Sequence, residues 1–250
     1  MSTIEVTEAN NRSARIKLNR PERLNALSPE LLRDLITVCD GLARDTSIRV
    51  VALEGAGDAF SAGADLPEFS KELASAPHAA ADLGRVAMEA VAGLPQISVA
   101  IIQGHCIGGG IVLAAACDVR ICSGDSRFRI PELEAGIPLG WGGMAHLVRL
   151  VGETVATDLV LTGRPFDAED AFRVGFVSRV VPAEDLAGEA GSIIDSIALK
   201  AHHPLLVTKQ QLRAIRSGSF DPTGDAEALL QSFTDREAAE SLRTYTNRLR

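Results

Sequence analysis

The sequence predicts an α/β fold, and three observations predict it. Short β-branched, apolar runs alternate with longer stretches of helical spacing over roughly residues 4 to 182, and the remainder is helical in pattern throughout. A chain of 250 residues with 46% hydrophobic residues also has enough apolar material to bury a full core.

Ile4 to Val6 and Ala14 to Leu18 read as short strands. The connection "NRPERLNALSPE" ends in Ser28 and Pro29, a helix cap followed by a first-turn proline. Leu31, Leu32, Leu35, Ile36, Cys39 and Leu42 then recur at helical spacing, and a buried strand follows from Arg49 to Leu53. After the loop "GAGDAFSAGADLPEF" come an Ala-rich helical stretch to about Gly93, the strand "SVAII" and a run of three glycines, Gly108 to Gly110. Cys117 to Cys122 and Arg127 to Ile130 read as strands, and "GGMAHLVRLVG" and "ETVATDLVLTG" as helices, the second closed by Gly163. Asp167 caps the helix "AEDAFRVG", which leads to the strand "FVSRVV" and Pro182. From Ala183 onward all is helical, with no low-complexity linker, so the tail is expected to pack on the body or on a neighbouring subunit.

A net charge of −8 argues against a general nucleic-acid or acidic-membrane binder, because phosphate backbones demand clustered Lys and Arg. A small anionic ligand stays open, since a local basic patch or a helix N-terminus suffices for it. No apolar run approaches the roughly 20 residues that span a bilayer, and the opening residues lack an apolar signal core, so a cytoplasmic location is expected. Cys39, Cys106, Cys117 and Cys122 have no CxxC spacing and read as core thiols, and no metal is expected.

Two glycine stretches carry the chemistry. "GHCIGGG" sets strand, tight turn and helix in series, which leaves first-turn N–H groups open to a ligand with no side chain in the way. Close strand-to-helix packing is the plainer alternative. A nucleotide loop is not indicated, because the run lacks GK[ST] and "GAGDAF" puts Phe60 where a dinucleotide fingerprint needs glycine. The second stretch, "LEGAGDAFSAGADLPEF", again brings small residues, Ala62, Gly63 and Ala64, to a strand's exit. Two backbone donors aimed at one developing oxyanion contribute roughly 3 to 4 kcal/mol each to a transition state.

In "RFRIPELEAGIPLGWGG", Glu132 follows Pro131 in apolar, turn-rich surroundings where poor hydration would raise its pKa toward that of a useful general base. A carboxylate capping the next helix or pairing with Arg127 or Arg129 is the alternative. Glu134 rivals Glu132, since positions two apart in an extended segment face the same way. Trp141 is placed either in a ligand pocket or in ordinary packing, and His105, His146, His202, His203 and Cys106 show no partner in sequence that would make them catalytic.

Taken together, "LNRPERLNALSPEL", "GAGDAFSAGADL", "HCIGGGIVLAAACDVRI", "RIPELEAGIP" and "LTGRPFDAEDAFRVGFVSRVVP", in this order and spacing, resemble the enoyl-CoA hydratase/isomerase (crotonase) superfamily over about residues 4 to 185. The resemblance implies a crotonase-like spiral of ββα turns in residues 1–190 and a C-terminal helical trimerisation region in residues 191–250. It implies an acyl-CoA thioester substrate, a homotrimer or hexamer, no nucleic-acid or membrane partner, and no cofactor beyond the coenzyme A of the substrate itself. Catalytic groups carried over are Glu132 and the backbone N–H groups of Ala64 and Gly109, which hold the thioester oxygen. CoA contacts fall on Arg23, Leu24, Ala62, Asp65, Leu66 and Gly108, with Arg20 and Arg23 as cations for its phosphates. The family's hydratases carry a second glutamate two residues after the glycine run, and here that position is Val112. Hydration asks two groups to activate water and handle a proton, whereas moving a double bond from C3 to C2 asks for one. The resemblance therefore points to Δ3,Δ2-enoyl-CoA isomerisation through a dienolate. Enoyl-CoA hydration with Glu134 or a water in the second role, and a non-catalytic acyl-CoA binder, are the alternatives.

Overall fold

A computed structural model describes residues 2–9 and 12–249. Positions 1, 10, 11 and 250, at the start, between the first two strands and at the end of the tail, lie outside the described residues. Two sheets organise the body, and the chain visits them in turn. The larger holds β1 (Ile4–Ala9), β2 (Ser13–Leu18), β3 (Val50–Gly55), β5 (Ile97–Ile102), β7 (Val119–Ser123) and β10 (Arg179–Val181) in that spatial order. The smaller holds β4 (Ala59–Ser61), β6 (His105–Ile107), β8 (Arg127–Arg129) and β9 (Phe166–Asp167). Among the described residues, the strand pairs β1–β2 and β8–β9 run antiparallel and the other pairs parallel. Each of β3–β4, β5–β6 and β7–β8 adds one strand to each sheet before the next helix, which is a spiral of ββα turns.

The local reasons are legible. Ser28 caps α1 (Pro29–Arg44), its hydroxyl accepting from the Leu31 N–H at 3.1 Å, and Leu31, Leu32, Leu35, Cys39 and Leu42 form the buried stripe. All six residues of β5 are buried, as a parallel strand covered on both faces requires. Alternation in β3 then sorts the core: Val51 and Leu53 face the main cluster with α1, while Val50 and Ala52 meet α8 (Leu186–Ala198) through Leu186, Ala190, Ile193 and Ile194. Helix α8 thus runs through position 190 with its apolar face on the large sheet.

Residues 66–93 form two helices, α2 (Leu66–Ser75) and α3 (Pro77–Ala92), parted at Pro77, and α4 (Gly109–Ala116) is buried on every side. The chain continues through α5 (Gly143–Val151), α6 (Glu153–Thr162) and α7 (Ala168–Arg173), with Gly163 left-handed after α6 and Asp167 capping α7. It closes with α9 (His202–Ser217), α10 (Asp225–Thr234) and α11 (Arg236–Arg248). A buried ion cluster fastens α9 to the body: Lys209 Nζ lies 2.5 Å from Asp118 Oδ2, and Arg216 lies 2.9 Å from Oδ1. Burial alone would push the Asp118 carboxyl up, but Lys209, Arg216 and the Ser98 amide hold it below its ordinary value. Among the described residues, no helix is long and apolar enough to cross a membrane.

Candidate active site

The glycine turn joins β6 to α4. Gly108 has φ 50° and ψ −117°, a conformation that a side chain would strain, and its own N–H is taken by the Arg129 carbonyl at 2.9 Å. Its carbonyl accepts from Ile111 and Val112, which closes the first turn. Gly109 and Gly110 follow as the first helical residues, whose N–H groups have no intrahelical acceptor.

The second donor comes from the exit of β4. Leu27 and Ala64 form a parallel bridge in which Leu27 N–H donates to Gly63 O at 2.8 Å and Asp65 N–H donates to Leu27 O at 3.0 Å. A residue bonded to both neighbours of its partner leaves the partner's own N–H pointing away, so the Ala64 amide turns from Leu27. Its neighbour Gly63 passes directly against the glycine turn: a Cβ on Gly63 would stand 2.8 Å from Ile107 O and 3.4 Å from Gly109 N. The segment that carries Ala64 thus passes against the turn that carries Gly109, at the positive end of α4.

Glu132 lies across this turn. Its Oε1 is 2.5 Å and its Oε2 3.4 Å from where a Cβ on Gly108 would stand. Oε2 is buried and has no hydrogen-bond partner among the described residues. Burial raises the carboxyl's pKa above its ordinary value, opposed only by its own backbone N–H. Glu134 takes a different path. Residues 132–136 form a turn, with Ala135 N–H donating to Pro131 O at 3.1 Å, so the extended geometry that would have aligned the two glutamates is absent. Glu134 instead receives both of its bonds from Arg129, at 2.6 and 2.7 Å, in an exposed pair. The pairing expected as an alternative for Glu132 belongs to Glu134.

Val112, one turn into α4, is buried against Leu139 and the position of Gly143. Trp141 also belongs to the site, which the sequence left open. Its ring lies over Gly109, with Cε3 and Cη2 each 3.1 Å from where a Cβ there would stand. The Cys106 thiol, fully buried beside the turn, is pushed well above its ordinary pKa by burial and stays protonated, while the His105 ring is exposed.

The expected CoA contacts divide. Arg23 and Leu24 are exposed on the turn after Arg20, Leu66 is exposed at the start of α2, and Ala62 is half-buried with its N–H on the Leu24 carbonyl. Asp65 is engaged within the chain: its N–H bonds Leu27, its carbonyl accepts from Phe69, and its buried carboxylate caps α2 and pairs with Arg20. Arg20 is likewise committed, to Asp65, Glu68 and the Ala26 carbonyl, which leaves Arg23 as the exposed cation of the two. The residue that sequence reasoning missed is Asn25. Fully buried with φ 55°, it donates to Ala56 O and Ala59 O and accepts from the Arg20 N–H, tying the Arg23–Leu24 turn to the β3–β4 connection. An asparagine at a left-handed turn position was its only sequence signal.

Residues 8–250 match the family model for enoyl-CoA hydratase/isomerase. The chain belongs to the enoyl-CoA hydratase/isomerase family. Within this crotonase superfamily it is 37% identical over 193 residues to a probable enoyl-CoA hydratase of Mycobacterium bovis, covering 77% of this chain and 74% of that protein. It is 30% identical over 243 residues to the short-chain-enoyl-CoA hydratase of Clostridium acetobutylicum, covering 96% and 93%. A mitochondrial Delta(3,5)-Delta(2,4)-dienoyl-CoA isomerase of rat is 29% identical over 238 residues, covering 89% and 72%. The crystal structure of an enoyl-CoA hydratase from Bacillus anthracis superposes with a TM-score of 0.91 at 31% identity, covering 98% of this chain and 96% of that one. The crotonase fold is therefore shared over nearly the whole chain, and the protein is an acyl-CoA enzyme of this family.

Proposed function

We propose that the enzyme moves the double bond of a 3-enoyl-CoA to C2 through a dienolate, with Glu132 as the single proton carrier. The observation that carries the proposal is one desolvated carboxylate with an unpartnered oxygen over the Gly108 turn, in a chain whose buried Val112 stands where the family's hydratases carry a second glutamate. The thioester oxygen accepts from the N–H groups of Ala64 and Gly109. Glu132 takes a proton from C2, and the C–H electron pair becomes the C1–C2 π bond while negative charge settles on that oxygen. The two donors and the N-terminus of α4 meet this charge as it develops. The protonated Glu132 then returns the proton to C4, the C3–C4 π electrons forming the new C4–H bond, and collapse of the dienolate leaves the double bond between C2 and C3. No water or second base enters. Arg23, Leu24, Ala62, Leu66 and the Gly108 turn border the path of the CoA arm, with Asp65 anchoring their loop.

A second reading, hydration of a 2-enoyl-CoA, is favoured by the hydratase names of most of the relatives above. Incubation with a 3-enoyl-CoA and separately with a 2-enoyl-CoA in D₂O, followed by mass spectrometry, separates the two. The isomerase reading expects 2-enoyl product with little 3-hydroxyacyl-CoA; dominant hydration would overturn it. Leu229, Leu230, Phe233 and Tyr245 on α10 and α11 are largely exposed, which supports a homotrimer or hexamer built on the C-terminal helices; light scattering tests it.

A further inference from the structure

Trp141 is held in a way that ordinary packing does not require. Its backbone sits at φ 57°, in the left-handed region that strains a bulky residue. Its indole fills a slot between α3 and α4 that exists only because both facing positions are glycine: a Cβ on Gly84 or on Gly109 would collide with the ring. Phe69 of α2 closes the third side, with ring centroids 5.8 Å apart at 40°. The ring is half-buried. A strained backbone and two side-chain-free walls place one large aromatic next to the Gly109 amide.

From this we infer that Trp141 is the stop of the acyl pocket and sets the enzyme's preference for short acyl chains. The inference rests on the reading that the thioester oxygen binds at Ala64 and Gly109. With the oxygen there and C2 facing Glu132 over Gly108, the CoA arm leaves past Leu24, Ala62 and Leu66. The acyl chain leaves on the other side, where the indole covers Gly109. The slot running from Gly109 to Gly84 is the space a longer alkyl chain would need, and the indole occupies it. Trp141 packs on the apolar cluster that holds Ala87 and Met88 of α3 and Val112 of α4, so the slot emptied of its indole would accept methylenes rather than water.

Two experiments test this. The first compares kcat/KM for trans-3-hexenoyl-CoA and trans-3-dodecenoyl-CoA in the wild type, W141F and W141A. The wild type is expected to favour the shorter substrate, and W141A to raise the long-to-short ratio by about tenfold or more, with W141F between them; one methylene in an apolar pocket is worth about that much. A W141A protein that folds and keeps the wild-type ratio overturns the inference. The second is independent of turnover and of whether the variants fold. Trp141 is the only tryptophan, so emission excited at the red edge of its absorption reports on this ring alone. Saturated butyryl-CoA, which has no double bond to move, is expected to shift or quench it, whereas free coenzyme A at equal occupancy is not. Butyryl-CoA bound by calorimetry with no optical change overturns the inference even if isomerisation is found. An optical change in an enzyme that hydrates upholds it even though the isomerase reading fails.

Discussion

Replacing Glu132 by Gln separates what this side chain does for catalysis from what it costs the fold. The carboxylate is pressed over Gly108 with Oε2 buried and unpartnered, and burial raises its pKa. A raised carboxyl pKa means that the folded state holds the proton more tightly than the unfolded chain does. Its favourable contribution is complete below the unfolded pKa and is lost as pH rises through the folded one. At neutral pH the ionised Glu132 is therefore a liability, and an unsatisfied buried polar group costs about 1–3 kcal/mol. Glu132→Gln keeps the shape and removes the charge, so stability at pH 7 is expected to rise by about 1–2 kcal/mol. For a chain of this size that raises Tm by about 2–8 °C. The gain should shrink as pH falls toward the ordinary range of a glutamate. Turnover should drop by about 10²–10⁴-fold, the usual contribution of a positioned general base. The acid limb of the wild-type kcat/KM profile should lie above the ordinary glutamate pKa. Calorimetry between acid and neutral pH, with initial rates on a 3-enoyl-CoA, makes the check. A variant that is fully active, or one less stable than wild type at neutral pH with no pH dependence to the difference, would refute the reasoning.

Three further outcomes are expected. Lys209→Ala strands the buried Asp118 with Arg216 as its remaining cation; it should cost about 3 kcal/mol and lower Tm by about 6–12 °C, and adding Asp118→Asn should recover part of the loss in the same melting assay. Asn25→Ala removes two buried hydrogen bonds and one part-buried one around the Arg23–Leu24 turn. A loss of about 2–4 kcal/mol by denaturant unfolding is expected, with KM for the CoA thioester rising more than kcat falls. Gly84→Ala places a Cβ inside the Trp141 ring position. It should destabilise the protein by about 1–3 kcal/mol and red-shift the tryptophan emission as the indole is pushed toward water.

Much of this was legible in order along the chain because the signals are local. Ser28 with Pro29 marks a helix start, Gly163 an end and Asp167 another start, and each works through backbone groups within four residues. The central strands β3, β5 and β7 were legible because nearly unbroken buried apolar runs have few other uses. The smaller sheet was not: β4, β6 and β9 are two or three residues long, too short for a period of two to show, and they exist because their partners lie alongside. The single run expected up to Gly93 is two helices, since an Ala-rich pattern carries little information about where Pro77 will break it.

By itself the sequence determined the alternation of elements, the two glycine stretches, one glutamate after a proline and the valine that replaces a second. These are properties of single residues and their near neighbours. Only the tertiary structure decided that Glu132 is desolvated while Glu134 is held by Arg129, that Arg20 and Asp65 satisfy each other, that Asn25 clamps the turn, and that Trp141 needs both Gly84 and Gly109 bare. Each of these is a competition for a partner or for space, between segments far apart in the chain in every case but Arg129 and Glu134, which the turn at 132–136 brings together. Its outcome depends on which groups the spiral brings within about 3 Å of one another.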